Sequence, residues 1–151
     1  MFDRNRLEQQ LISDEGVVYE IYLDSLGYPT LGVGHLITAS DRENGLPVGT
    51  RVAKDRVWDL FRKDVDLAIA EARVLFGQQF AEWPGEVQEI LINMIFQMGR
   101  PRVSQFVNMR RALDRQDWKE AARHGRDSLW WREQTRNRAE RLMSRLERVT
   151  P

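Results

Sequence analysis

Apolar and polar residues follow two different periods along the chain, and the change of period separates a short β segment from a longer helical remainder. Residues 5–13 predict a short amphipathic helix, and Gly16 can supply the left-handed residue that ends it. Residues 17–23 alternate as a strand does, and residues 28–33 predict the returning strand of a hairpin. Pro29 suits a sheet edge, because it has no N–H to donate.

The rest of the chain predicts a loop followed by helices. Residues 36–53 are rich in turn formers, and we predict a loop there with a short third strand around residues 50–52. From residue 54 to about residue 76, apolar residues recur at steps of three and four, which predicts one helix of roughly 33 Å. Further helices are predicted at residues 84–98, 103–114, 117 onwards, 127–132 and 135–148. The pattern as a whole predicts an α+β fold.

Composition narrows the class of protein. The 151 residues are 42% apolar and include no cysteine, which suffices for one domain with its own core. No apolar run approaches the ~20 residues of a membrane span, and the first ten residues hold no apolar segment. We therefore expect neither membrane insertion nor a signal peptide.

The net charge is zero but unevenly spread. Residues 1–100 carry 10 Lys and Arg against 16 Asp and Glu, whereas residues 101–151 carry 13 against 7. A basic C-terminal half fits an anionic polymer, and it fits a set of solvated helix faces equally well. No zinc-finger, RNP or basic-zipper motif favours nucleic acid, so no nucleic-acid partner is expected.

Two carboxylates and a hydroxyl, those of Glu15, Asp24 and Thr30, lie within sixteen residues around the predicted hairpin. Glu15 ends the first helix, where the helix dipole favours a protonated acid, whereas Asp24 lies in a turn that keeps a carboxylate ionised. Glycoside hydrolysis uses such a pair, although each residue alone is also an ordinary helix end or turn residue. A straight strand would carry Asp24 roughly 25–30 Å from Glu15, so a shared site requires the segment to curl back.

The spacing of these three residues, with LGVGH directly after Thr30, resembles the phage T4-type lysozymes, glycoside hydrolase family 24. The resemblance continues at residues 93–99, 128–130 and 134–139, and so covers most of the chain. It implies a lysozyme-like, two-lobed fold with a cleft, in which a long helix joins a small N-terminal β-hairpin lobe to a larger helical lobe. We expect one domain over residues 1–151. Its predicted β lobe is about residues 14–53, and its helical lobe is residues 1–13 and 54–151.

The resemblance also implies an activity. It is the hydrolysis of the β-1,4 bond between N-acetylmuramic acid and N-acetylglucosamine in peptidoglycan, with inversion. Glu15 is the implied general acid and Asp24 the base, with Thr30 holding the attacking water. The implied partner is the glycan strand, with no cofactor and no metal, and we expect a monomer. Without a signal peptide, such an endolysin would wait in the host cytoplasm until a holin or similar protein opened the way to the periplasm.

Four further residues are assigned supporting roles. Arg138 matches a family arginine that could hydrogen-bond Asp14 or Glu15 and so orient the acid. His35 is expected to face Asp64 in an ion pair that fixes the hairpin to the long helix. Taken alone, Arg138 is an ordinary solvated helix residue, and His35 is more often structural than catalytic.

Four positions are implied to bind sugar: Leu36, Phe96, Gln97 and His124. Phe96 fits a core position equally well at its helical spacing. Gln97 is a polar side chain between two apolar neighbours, and it therefore needs a partner. His124 stands where relatives carry an asparagine.

Three other functions remain open at the level of sequence. A lytic transglycosylase would release 1,6-anhydro products, but it would not need a base to activate water. A catalytically silent wall-binding or virion structural protein would not need Glu15, Asp24 and Thr30 together. Nucleic-acid binding, suggested only by the basic C-terminal half, would show a steep dependence on salt.

Overall fold

The computed structural model describes residues 1–150, without the side chains at positions 133 and 134. Gln134, part of one family-like motif, therefore lies outside the described side chains, as does the chain end at residue 151. The chain forms two compact units. The first, Asn5–Leu67, is called the hairpin unit below, and the second, Met1–Arg4 together with the chain from Ala68 onwards, is called the helical unit. The predicted lobe bounds and the single domain stay predictions.

Helix α1, Arg4–Glu15, belongs to the hairpin unit from its second residue onwards and carries the candidate acid as its last residue. Gly16 adopts φ 73°, and its N–H donates to the carbonyl of Ile12 at 2.8 Å. This is the left-handed helix end that the sequence predicts, in a conformation that glycine adopts without a Cβ penalty. The end of α1 therefore fixes where the Glu15 side chain starts.

A three-stranded antiparallel sheet follows, with strands β1 Val18–Leu23, β2 Pro29–Gly32 and β3 His35–Leu36 in that order. Together with the helices, it confirms the predicted α+β class. The prediction of the third strand at residues 50–52 was wrong, because those residues join β1 only through a bridge between Glu20 and Arg51. The third strand forms earlier, since Gly32 and Gly34 both adopt positive φ and turn the chain back at once.

A bulge bends β1. Val18 pairs with Gly32 and Tyr22 pairs with Thr30, so β1 advances four residues while β2 advances two. Extra residues on one strand of an antiparallel pair bend that strand and increase its twist. The segment between Glu15 and Asp24 therefore does not follow the straight path that would keep the two carboxylates apart.

Helix α2, Lys54–Phe76, has the predicted bounds, and Gly77 follows it at φ 77°. In the hairpin unit, one face of the helix packs on the sheet through a buried apolar cluster formed by Ile21, Leu31, Val52, Val57 and Leu60. A Cβ at Gly32 would lie 3.0 Å from the Val57 side chain, so this glycine lets strand and helix approach closely.

The helical unit is built around α3, Gly85–Met98, which is buried without interruption from Val87 to Ile95. A helix that is buried on all sides lies at the centre of a core. The other helices are α4 Arg100–Val103, α5 Val107–Asp114, α6 Trp118–Arg126 and α7 Arg136–Glu147, with a 3₁₀ helix Gln78–Glu82 and a π-helix Trp130–Gln134. No helix among residues 1–150 is both long and apolar enough to cross a bilayer.

Two short helices differ from the prediction. The expected helix 103–114 is divided between α4 and α5, and the expected helix 127–132 is a π-helix displaced toward residue 134. Helix α6 is capped at its start, since the Asp117 side chain accepts from the Glu120 N–H at 3.2 Å. Thr135 precedes α7 and makes no side-chain cap bond to it, and its hydroxyl accepts from the Gln97 amide at 2.7 Å.

Candidate active site

Asp24 is held by the backbone of the turn that joins β1 to β2. Its Oδ1 accepts from the N–H groups of Leu26 and Tyr28, both at 2.9 Å. An aspartate that accepts from backbone groups shortly after it is a typical turn residue, and the bonds fix its rotamer. Oδ2 accepts no hydrogen bond from any residue that the structure describes. One oxygen of this carboxylate is thus anchored and the other is available.

Thr30 lies in β2 and is only 3% exposed. Its hydroxyl donates to the carbonyl of Tyr28 at 2.8 Å. Because a hydroxyl has a single hydrogen and two lone pairs, the Thr30 oxygen retains the capacity to accept. A water molecule bound here would therefore donate to Thr30.

Glu15 lies against the glycine that precedes His35. Gly34 has φ 61°, and a Cβ added to it would lie 2.5 Å from Glu15 Oε1 and 2.9 Å from Cδ. Both contacts are too short for any side chain, so the Glu15 carboxyl occupies the space that only glycine leaves open. The glycine is visible in the sequence as part of GVGH, but its partner lies nineteen residues earlier and no local pattern reveals it.

Tyr22 is a residue of this site that the sequence analysis missed. It pairs directly with Thr30 across the two strands, so the two side chains share one face of the sheet. Burial raises the pKa of the Tyr22 phenol, and the charges of Glu15 and Asp24 raise it further. Because both carboxylates raise the pKa of the same phenol, the bent hairpin brings both of them near Tyr22.

His35 lies between two carboxylates. Its Nδ1 is 2.7 Å from Asp64 Oδ2, which is the predicted contact, and its Nε2 is 2.8 Å from Asp41 Oδ2, which the sequence analysis missed. Burial alone would lower the His35 pKa, but the hydrogen bonds and charges of Asp64 and Asp41 raise it to about 9. The imidazole is therefore a cation at neutral pH, with both N–H groups donating.

The same network continues into α2 through Arg56. The guanidinium donates from Nε and from one terminal nitrogen to the two oxygens of Glu43, each at 2.9 Å, and lies 3.8 Å from Asp41. Glu43 is 5% exposed, and its hydrogen bond with Arg56 lowers the pKa of its carboxyl. A bidentate pair of this kind holds the loop after β3 against α2.

Comparison with known proteins decides the family. The family model described as "Phage lysozyme" matches residues 13–148. The chain belongs to the phage lysozyme family. It is 31% identical to the pre-baseplate central spike protein Gp5 of Enterobacteria phage T4, over 90% of this chain but 26% of that protein. It is 30% and 29% identical to the probable T4-type lysozymes 1 and 2 of Dictyostelium discoideum, over 95% of each chain.

Membership makes this chain an enzyme of the lysozyme class, a glycoside hydrolase. The chain spans about a quarter of Gp5, whereas it spans nearly all of the Dictyostelium lysozymes. Among the residues that the structure describes, no group of histidine and carboxylate side chains is arranged to hold a metal ion. The roles of individual residues in this phage lysozyme stay predictions.

In the helical unit, Gln97 is occupied at both ends of its amide. The oxygen accepts from Trp130 Nε1 at 3.1 Å, and the nitrogen donates to the hydroxyl of Thr135 at 2.7 Å. The partner that the sequence required for Gln97 is thus found within the protein. Its predicted contact with sugar stays a prediction, and it would compete with these bonds.

Arg138 donates from Nε and from one terminal nitrogen to Asn93 Oδ1, at 3.1 and 2.9 Å. Asn93 is 1% exposed, so the buried amide fixes the guanidinium. Asp14 and Glu15, the predicted partners of Arg138, belong to the hairpin unit, and that contact stays a prediction.

The remaining predicted sugar-binding positions are distributed over both units. Leu36 ends β3 with 51% of its surface exposed, and Phe96 is half-buried near the end of α3. His124 is 3.4 Å from Glu120 and lines a pocket of about 330 Å³ in the helical unit. Met109 lines the same pocket.

Proposed function

We propose that this phage lysozyme hydrolyses the β-1,4 bond between N-acetylmuramic acid and N-acetylglucosamine in bacterial peptidoglycan. Family membership supports lysozyme activity, and the hairpin unit alone carries Glu15, Asp24 and Thr30. The glycan strand is the partner in this proposal, and no cofactor takes part. The enzyme works as a monomer.

Glu15 is the general acid and protonates the oxygen of the leaving sugar. Asp24 is the base, and its free Oδ2 accepts one hydrogen of a water molecule. The Thr30 oxygen accepts the other hydrogen, since its own hydrogen is engaged with Tyr28. A water that donates both hydrogens directs a lone pair at the anomeric carbon, and inversion at that carbon follows.

The observation that carries the proposal is this pair of open acceptors, one on Asp24 and one on Thr30, in a hairpin that also holds Glu15 against Gly34. A transglycosylase closes the product on its own hydroxyl, so it would not need two acceptors for an external water. The stereochemistry of the first product, read by proton NMR within minutes of mixing, tests the step directly. Initial release of the α-anomer supports inversion, and the β-anomer would contradict it.

The first experiment digests purified Gram-negative peptidoglycan with the wild type and with Glu15→Gln, and identifies products by mass spectrometry. Glu20→Gln is the matched control, because it makes the same change on an exposed residue five positions away. Reducing-end muropeptides from the wild type and the control, with almost none from Glu15→Gln, are expected. Anhydro products would instead indicate a transglycosylase, and binding without products would indicate a wall-binding protein.

We also propose that the enzyme is an endolysin, held in the host cytoplasm until a holin or similar protein opens the inner membrane. The similarity to part of Gp5, whose name describes a central spike protein of a phage baseplate, favours a virion-borne lysozyme as the second candidate. Zymograms of purified virions and of cleared lysates separate the two. Activity confined to the lysate supports the endolysin, and activity that purifies with the particles supports the virion protein.

A further inference from the structure

We infer that Tyr22 is a further positioning residue of the active site, whose phenol O–H donates to the sugar bound between Glu15 and Asp24. The inference deepens the proposed function and rests on it. The family match does not assign this residue, and the sequence analysis attached no chemistry to it.

The register of the sheet places Tyr22 over Thr30. The two residues are direct partners in the antiparallel pair of β1 and β2, so their Cβ atoms lie roughly 5 Å apart on the same face. Thr30 is nearly inaccessible, whereas Tyr22 is half-buried. The ring of Tyr22 therefore covers part of the strand that holds the candidate water-binding hydroxyl.

The electrostatics agree with this placement. After burial, the charge of Glu15 and then the charge of Asp24 are the causes that raise the phenol pKa. The carboxylates come from two different elements, the end of α1 and the turn after β1. The phenol thus stays protonated at neutral pH, and it remains a donor while both carboxylates are charged.

The hydroxyl of Tyr22 makes no hydrogen bond with any part of the chain that the structure describes. In a glycosidase the bond to be cleaved lies between the acid and the base. Tyr22 faces Thr30 across the two strands, in the hairpin that carries both carboxylates, so the proposal places its O–H beside the sugar at the point of cleavage. A free O–H in that position can donate to a hydroxyl or an acetamido oxygen of the sugar and hold its ring in register with the water on Thr30.

The test compares Tyr22→Phe, which keeps the ring and loses only the donor, with Tyr19→Phe in the same strand. Tyr19 packs against the apolar cluster of the hairpin unit and under the Lys54 ammonium, so its substitution leaves the site intact. For Tyr22→Phe we expect kcat on a peptidoglycan tetrasaccharide to fall about tenfold, the loss expected for one neutral hydrogen bond. Its Tm is expected to stay unchanged.

A ring that only packs on Thr30 would give Tyr22→Phe the kcat of the wild type, and that result would overturn the inference. A second measurement does not depend on turnover. In Glu15→Gln protein carrying ¹³Cζ-labelled tyrosine, the Tyr22 resonance is expected to shift when the tetrasaccharide is added, whereas the Tyr19 resonance stays. A Tyr22 signal that does not move while the sugar binds would also overturn the inference. Wild-type protein that neither binds nor cleaves the sugar would contradict the proposed function itself.

Discussion

The hairpin unit and the helical unit fix their polar side chains by different means. In the hairpin unit, backbone geometry does much of the placement: a turn holds Asp24, and left-handed Gly34 makes room for Glu15. In the helical unit, side chains from different elements hold one another, as Gln97 does with Trp130 and Thr135. Backbone placement leaves acceptors open for a ligand, whereas side-chain pairs between helices use the donors and acceptors they bring together.

Each unit also holds a cation between two carboxylates, and the two cations respond differently to pH. His35 contacts Asp64 and Asp41 in the hairpin unit, and Arg126 contacts Glu140 and Glu147 in the helical unit. Arginine keeps its charge at every accessible pH, but histidine does not. The ion pairs of His35 in the hairpin unit therefore depend on pH, whereas the ion pairs of Arg126 in the helical unit do not depend on it near neutrality.

The largest effect is expected at Gly34. Gly34→Ala places a methyl group in the space of the Glu15 carboxyl, which must move by roughly 1 Å, and kcat is expected to fall at least ~100-fold. Gly45→Ala is the matched control. Gly45 also has positive φ, at 86°, but no atom lies within 4 Å of a Cβ built there.

Both alanine variants are expected to lose about 1–2 kcal/mol of stability, the cost of a left-handed non-glycine residue. Urea denaturation measures that shared loss, and turnover of soluble peptidoglycan fragments measures the difference. Equal activity in the two variants would show that the backbone at Gly34 does not position Glu15.

The second effect concerns His35. Its pKa of about 9 in the folded protein lies above the ~6.5 of an unfolded histidine, so its contribution to stability is complete below pH 6.5. That contribution is lost as pH rises through 9, and it amounts to roughly 2–3 kcal/mol. Urea unfolding of the wild type and of His35→Gln at pH 6 and pH 9.5 should show the difference between them shrink at the higher pH.

The two carboxylates can be separated by NMR titration of the His35 ring. Asp64→Asn and Asp41→Asn are each expected to lower the His35 pKa, because each removes a negative charge in contact with one ring nitrogen. Asp55→Asn, an exposed residue at the start of α2, is the control and should leave the pKa in place. An unchanged pKa in Asp64→Asn would contradict the ion pair.

The third effect is a loss of stability on substitution of Gln97, and it tests whether the amide stabilises the protein or binds sugar. Gln97→Leu leaves the indole N–H of Trp130, which is 1% exposed, without its acceptor, and this should cost about 1–3 kcal/mol of stability. Gln97→Glu keeps an acceptor for that N–H and serves as the control. KM for peptidoglycan could instead rise tenfold in Gln97→Leu while the stability stays unchanged. In that case the amide binds the sugar, and Gln97 contradicts the contrast between the two units.

The sequence predicts best those features that local rules determine. The bounds of α2 follow from its apolar period and from Gly77, and the end of α1 follows from Gly16. The three candidate catalytic residues are assigned from their spacing, which resembles that of a known family, and their roles stay predictions. In each case the decisive information lies within a few residues, or in a pattern that the chain displays directly.

The features that were missed depend on contacts between distant residues. The third strand forms at His35 because two left-handed glycines, Gly32 and Gly34, turn the chain there, and the apolar pattern of residues 50–52 gives no sign of that turn. Asp41 reaches the free nitrogen of His35 only once the loop has closed. Tyr22 acquires its neighbours through a bulge in β1, and no periodicity predicts where two strands lose register.

The smallest effect is expected at Arg126, where the comparison with His35 is most direct. Glu140 is 42% exposed, so Glu140→Gln should cost no more than about 1 kcal/mol. The hydrogen bond with Arg126 is the main cause that lowers the Glu140 pKa to about 2. The stability that ionised Glu140 contributes is therefore present at neutral pH, and it is lost only as pH falls through 2. The free energy of unfolding of Glu140→Gln should differ from that of the wild type by the same amount at pH 6 and at pH 9.5. If that difference changed with pH as much as the difference for His35→Gln does, the contrast between a titrating and a permanent cation would be contradicted.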